Sequence, residues 1–197
     1  LLRAGALSRT LVVVASAGNR GRDQDGLPAY GGITSPGNAP WVLTVGASSH
    51  QGTVDRADDA MAAFSSRGPS AVDLAAKPDI VAPGVGTESL IAPDSTLYIR
   101  LADWLLPGTV ATAHLPYLSL SGTSMSTPVV SGVAALMLQA NPGLTPNLVK
   151  AILQYTAQRN PSYDPLTEGA GFLNGYGAVV LAKYLANPAG NPYPSAP

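Results

Sequence analysis

Eight consecutive residues, Ser121-Gly122-Thr123-Ser124-Met125-Ser126-Thr127-Pro128, place hydroxyl groups, a glycine and a helix start together. They run into an apolar stretch over 125–140 that reads as a buried helix, stopped by Asn141-Pro142-Gly143. The plainest role for a serine there is a helix cap. The setting offers more. Gly122 permits close backbone approach, and an anion forming beside Ser124 would meet unpaired N–H groups and the positive end of a helix dipole, as a developing oxyanion requires. Pro128 is expected in the first turn, where its missing N–H costs nothing. The nucleophile-elbow spacing Gly-x-Ser-x-Gly fails by one residue, because position 126 is Ser.

The chain that positions this segment has 197 residues, 11 basic against 12 acidic, and a formal net charge of −1. That balance gives no electrostatic footprint for nucleic acid. Charged residues are 12% and apolar ones 46%, so the chain is rich in core. With no cysteine there is no thiol nucleophile, disulfide or zinc knuckle. No apolar run approaches the roughly 18 residues of a membrane span.

Thr10-Leu11-Val12-Val13-Val14-Ala15-Ser16 reads as a strand buried on both faces, ending at Gly18-Asn19. Further strands are expected over 41–47 and 79–82, and further helices over 147–156, after an N-cap and proline at Thr145-Pro146, and over 177–185. This order predicts an α/β fold. The first seven residues read as the end of a helix, so the chain is expected to begin inside a domain. Residues 84–119 read as an insertion footed by Trp104 and nearby leucines, and 187–197, with four prolines, as a tail or linker after a domain over 1–186.

Gly122-Thr123-Ser124-Met125-Ser126-Thr127-Pro128 resembles the nucleophile motif of the subtilisin-like serine proteases, and Val12-Val13-Val14-Ala15-Ser16-Ala17-Gly18-Asn19 their strand and oxyanion asparagine. Phe64-Ser65-Ser66-Arg67-Gly68-Pro69 with Lys77-Pro78-Asp79-Ile80-Val81-Ala82-Pro83-Gly84, and Gly169-Ala170-Gly171-Phe172-Leu173-Asn174, resemble two further blocks in the family's order. Sedolisins share the serine motif but use an aspartate where this chain has Asn19.

The resemblance implies the C-terminal portion of a three-layer fold with a mainly parallel sheet. It implies Ser124 as nucleophile on a peptide or protein substrate, with the oxyanion held by Asn19 and the Ser124 N–H. Taken alone, Asn19 reads more simply as a turn residue after a strand. Ala17, Gly18, Gly122 and Thr123 would line the substrate cleft. Thr34, replacing a glycine, would make the pocket floor shallower beside a cis Ser35-Pro36, although an ordinary proline turn is also open there. No cofactor is required. Carbonyls near Gly37, Ala39 and Val42 suggest a weak cation site in some relatives, and Asp23, Asp25, Asp55, Asp58 and Asp59 suggest calcium or, more simply, solvated surface.

The family's Asp-Thr/Ser-Gly and His-Gly-Thr-His motifs are not in these 197 residues, and His50 and His114 read as surface histidines. The expected partner is therefore a missing N-terminal half supplying base and carboxylate, which would also cover the edge of the first strand. The chain alone is expected to be inactive and its parent exported. A non-catalytic homologue acting as a binding or structural module, or an unrelated esterase, is the alternative.

Overall fold

The computed structural model describes residues 11–190 and 193–194. The helical remnant expected at the start and much of the expected tail lie outside them. Three parallel strands form the centre: β1 (Val14–Ser16), β2 (Leu43–Ser49) and β4 (Ile80–Pro83), with β2 in the middle. Val14 pairs with Leu43 and Val45 with Ile80, while β3 (Ala60–Met61) adds an antiparallel step at the end of β2. Past β4 the backbone of Gly171 to Leu173 continues the pairing: Val81 N donates to Gly171 O and Leu173 N to Val81 O.

The α/β class with a mainly parallel sheet is what the structure shows. Helix α2 (Thr123–Ala140) lies against β1, β2 and β4, and α3 (Pro146–Thr156) and α5 (Gly175–Ala186) complete that layer. Side-chain alternation along β2 explains the arrangement. Leu43 and Val45 join Ile80, Val130, Met137 and Leu153 in the core, whereas Thr44, Gly46 and Ser48 face loops on the other side. Thr145 caps α3 by accepting from Leu148 N, and Asn174 caps α5 by accepting from Gly177 N. A short α4 (Pro165–Glu168) is capped by Asp164.

Three expectations need correction. Helix α2 is not buried all round: Ser126, Val130, Ala134 and Met137 form the inner stripe, while Leu136 is 53% exposed. Because α2 starts at Thr123, Pro128 falls in its second turn, where its missing N–H would otherwise serve Ser124 O. Trp104 is 73% exposed and does not foot residues 84–119. That segment instead folds as a second antiparallel sheet, β5 (Thr87–Leu90), β7 (Tyr117–Leu120) and β6 (Leu105–Leu106), with buried Leu118 at its base and a short helix α1 (Thr96–Arg100). The ribbon returns directly into Ser121 and the helix start.

Among the described residues β1 bonds to β2 alone. A groove of about 300 Å³ lies between β1 and α2, lined by Leu11, Val12, Val14, Ala135 and Leu138 among others. No helix among the described residues is long and apolar enough to cross a membrane.

Candidate active site

The C-terminal end of β1 and the N-terminus of α2 meet at one point, although they are a hundred residues apart in the chain. Thr123, 1% exposed, makes the junction. Its backbone N donates to Asn19 Oδ1 at 3.0 Å, its Oγ1 donates to the same oxygen at 2.9 Å, and Gly18 N donates to its Oγ1 at 3.1 Å. With Oδ1 holding two donors, the Asn19 amide has a defined orientation. Its Nδ2 is turned toward Gly122: a Cβ built on that glycine would stand 3.4 Å from Asn19 Nδ2 and 3.8 Å from Ser124 N. Two N–H donors, one from a side chain and one from a helix N-terminus, thus border the open space that the glycine leaves. Ser124 itself is exposed, and its hydroxyl makes no hydrogen bond among the described residues.

The Gly18–Arg20 turn is held by a serine that the sequence did not single out. Ser66 is fully buried, its N donates to Gly18 O at 2.8 Å and its Oγ accepts from Arg20 N at 3.0 Å. Gly18 has φ +100°, and a Cβ there would meet Ser66 Oγ at 2.9 Å, so both backbone shape and space require glycine. Ser65 Oγ accepts from Ala47 N and ties the same segment to β2. Phe64 is only half-buried; the adjacent serines anchor this segment. Their one available signal was the polar pair after an aromatic residue.

The other predicted residues are placed as follows. Ala17 buries its side chain in the sheet, and Ala17 N donates to Val45 O, so any contact with a substrate would be through its backbone. Gly122 is buried and Thr34 exposed, and the Ser35-Pro36 peptide is cis. His50 lies in the turn after β2 with Nδ1 accepting from Gly52 N, and His114 lies in the long ribbon with its ring edge-on to Tyr98. Neither is hydrogen-bonded to Ser124.

Four of the five aspartates expected as calcium candidates serve their own loops, and Asp25 takes part only through its backbone N. Asp23 accepts from Asp25 N and Leu27 N, Asp55 from Ala57 N, Asp58 from the Thr53 hydroxyl, and Asp59 pairs with Arg56. Among the described residues no three His, Cys, Asp or Glu side chains gather in a way that would hold a metal.

A serine at a helix N-terminus beside an oriented asparagine amide sets a hydroxyl next to two N–H donors, an arrangement chemically able to receive negative charge on an oxygen. The subtilase family (peptidase S8) matches residues 2–179, and the chain belongs to that family. It is 42% identical over 174 residues to serine protease AprX of Bacillus subtilis (strain 168), covering 88% of this chain and 36% of AprX. It is also 41% identical over 108 residues to the Arabidopsis thaliana subtilisin-like protease SBT3.9, covering 54% of this chain and 12% of that protein. Among solved structures, fervidolysin from Fervidobacterium pennivorans, a keratinolytic enzyme related to subtilisin, superposes with a TM-score of 0.60 at 27% identity. That match covers 94% of this chain and 23% of fervidolysin. The prenylagaramide maturation protease PagA superposes at 0.57 and 29% identity, covering 86% of this chain and half of PagA.

Proposed function

We propose that this chain is the nucleophile-bearing part of a subtilisin-type serine endopeptidase. Ser124 Oγ attacks the scissile carbonyl of a peptide or protein, and the oxygen of the tetrahedral intermediate is received by Asn19 Nδ2 and Ser124 N. The observation that carries this reading is the double hold of Thr123 on Asn19 Oδ1, which leaves the amide nitrogen facing the space above Gly122. An amide fixed before the substrate arrives requires no reorganisation when negative charge develops.

The base that takes the Ser124 proton, and the carboxylate that orients it, come from outside the residues described here. Asp-Thr/Ser-Gly and His-Gly-Thr-His segments of the whole protein would supply them, and the groove between β1 and α2 is an apolar surface on which such a segment could rest. Cleft contacts are assigned to the backbone of Ala17 and Gly18, to Gly122, and to Thr34 at the pocket floor, with Thr123 acting through Asn19. Export of the whole protein rests on family membership alone.

A fluorophosphonate probe tests the reading on the isolated chain and on the full-length protein. Labelling of Ser124 in the full-length form, lost in Ser124→Ala and absent from the isolated chain, is expected. No labelling of a folded full-length protein would overturn it in favour of a non-catalytic homologue.

A further inference from the structure

Behind the segment that carries Thr34 lies a cluster that the peptidase reading does not use. Lys77 is 3% exposed and Asp79 6%, a combination that costs solvation unless every charge is met. Asp79 Oδ2 accepts from Lys77 Nζ at 2.6 Å and from Thr44 N at 2.7 Å; Asp79 Oδ1 faces Lys150 Nζ at 2.9 Å, with Gln154 Nε2 at 3.5 Å. Both ammonium groups also donate to one carbonyl, Val42 O, at 2.9 and 3.0 Å, and Lys150 reaches Pro40 O at 3.2 Å. Two cations therefore share one carboxylate and a loop carbonyl, which is more positive charge than an ion pair requires.

The excess matches the loop. Residues 37–42 carry the carbonyls of Gly37, Ala39 and Val42, the set named above as a possible weak cation site. Each now has a donor from the protein: Thr44 Oγ1 to Gly37 O, Val42 N to Ala39 O, and the two lysines to Val42 O. A calcium ion needs six to eight oxygens at about 2.3–2.6 Å. At that distance from Val42 O and Asp79 it would fall against two ammonium nitrogens of its own sign. The donor set does not fit a metal.

We propose that Lys77 and Lys150 are built-in cations, their ammonium groups filling the place between the Val42 and Pro40 carbonyls and the Asp79 carboxylate where a metal ion would otherwise have to sit. Lys77 reaches the loop from the lead-in to β4 and Lys150 from α3, so the loop is fastened to both the sheet and the helical layer. Burial lowers the Lys77 pKa from its ordinary 10.5, and the Asp79 carboxylate pulls against that shift. Describing this loop as a pocket floor rests on the protease reading; the clamp and its test do not.

The test compares thermal midpoints of the full-length protein and of the double variant Lys77→Glu/Lys150→Met, each in chelator and in millimolar calcium, with calorimetric titration of the ion. Lys77→Glu places a second carboxylate beside Val42 O and Lys150→Met removes the ammonium that would remain there, so the variant is expected to melt lower in chelator and to gain a calcium-binding event and a calcium-dependent rise in midpoint that the unmodified protein lacks. An identical calcium response of the two proteins would overturn the clamp. Reductive methylation of the unmodified protein covers the case in which the variant does not fold. Lys77 should stay unmodified with and without calcium while the exposed Lys183 reacts, and methylation of Lys77 on adding calcium would mean that the ion displaces it.

Discussion

Replacing Thr123 with valine keeps its shape and removes one hydroxyl. That hydroxyl donates to Asn19 Oδ1 and accepts from Gly18 N, whereas the Thr123 backbone bond to Asn19 survives. Two losses follow, and they differ in size. The Gly18 N–H is left without its acceptor beside a residue that is 1% exposed, at a cost of about 1–2 kcal/mol because Gly18 itself is half-buried. The Asn19 amide keeps one of its two restraints. If the lost bond contributes about 0.5–1.5 kcal/mol to holding Nδ2 on the oxyanion, turnover falls roughly 2- to 13-fold.

Removing the amide altogether is a different perturbation. Asn19→Ala should cost on the order of 10²–10³ in turnover, a figure taken from the subtilisin case and not worked from this structure. The assay is kcat and KM on a peptide substrate with the full-length protein, together with the fluorophosphonate labelling rate and the thermal midpoint. A restraint felt only in the transition state lowers kcat and leaves KM in place. Thr123→Ser, which keeps the oxygen, should recover most of the rate. A Thr123→Val protein with unchanged kcat and labelling rate, alongside an impaired Asn19→Ala, would refute the claim that the hydroxyl orients the amide.

Gly122→Ala puts a methyl group into the space bordered by Asn19 Nδ2 and Ser124 N and onto a backbone with φ +157° and ψ 160°, so turnover should fall by an order of magnitude or more and the strain should cost about 1–3 kcal/mol of stability; kinetics paired with thermal melting reads both. Met137 is fully buried between α2 and the core, so Met137→Ala should cost about 2–5 kcal/mol, read by urea unfolding. Acid should reveal Asp164. Desolvation pushes its carboxyl up, but the hydroxyls of Thr167 and Tyr30 and the N–H groups of Leu166 and Thr167 outweigh it, and the net pKa lies below 3.8. A depressed carboxylate contributes stability above its unfolded pKa and loses it as pH falls through the folded value, so Asp164→Asn should flatten the midpoint-against-pH curve as pH falls through and below 3.8.

What was legible in the sequence was local. A β-branched run ending in Gly18-Asn19, and a hydroxyl-rich turn entering an apolar helix, declare a strand, a turn and a helix start by nearest-neighbour chemistry. The three long helices past residue 120 lie within a few residues of expectation, two of them behind their own side-chain caps at Thr145 and Asn174, while the short α4 was not read. Pairing at a distance was not legible. Composition around Ser66 gives no sign that its hydroxyl accepts from Arg20, and nothing within residues 77–79 announces Lys150, which arrives from a helix packed against the sheet. The sheet formed by 84–119 was not legible because strand pairing across a long loop leaves only weak alternation, and Trp104, read as its apolar footing, is instead exposed.

The same division applies to the chemistry. In the proposed reading the oxyanion donors found within these residues are fixed by buried partners: Asn19 by Thr123, the Gly18–Arg20 turn by Ser66, and Ser124 N by its place at the start of α2. Nothing described here takes a proton from Ser124. On that reading electrostatic preorganisation and proton transfer come from separate segments, and they fail differently. Loss of the base leaves the oxyanion pocket intact and able to polarise a carbonyl, whereas loss of the Asn19 amide leaves a nucleophile attacking toward a poorly supported oxyanion. The first kind of defect is open to rescue by an added nucleophile or base in solution. The second is not, because no small molecule can replace an amide that is fixed before the reaction begins.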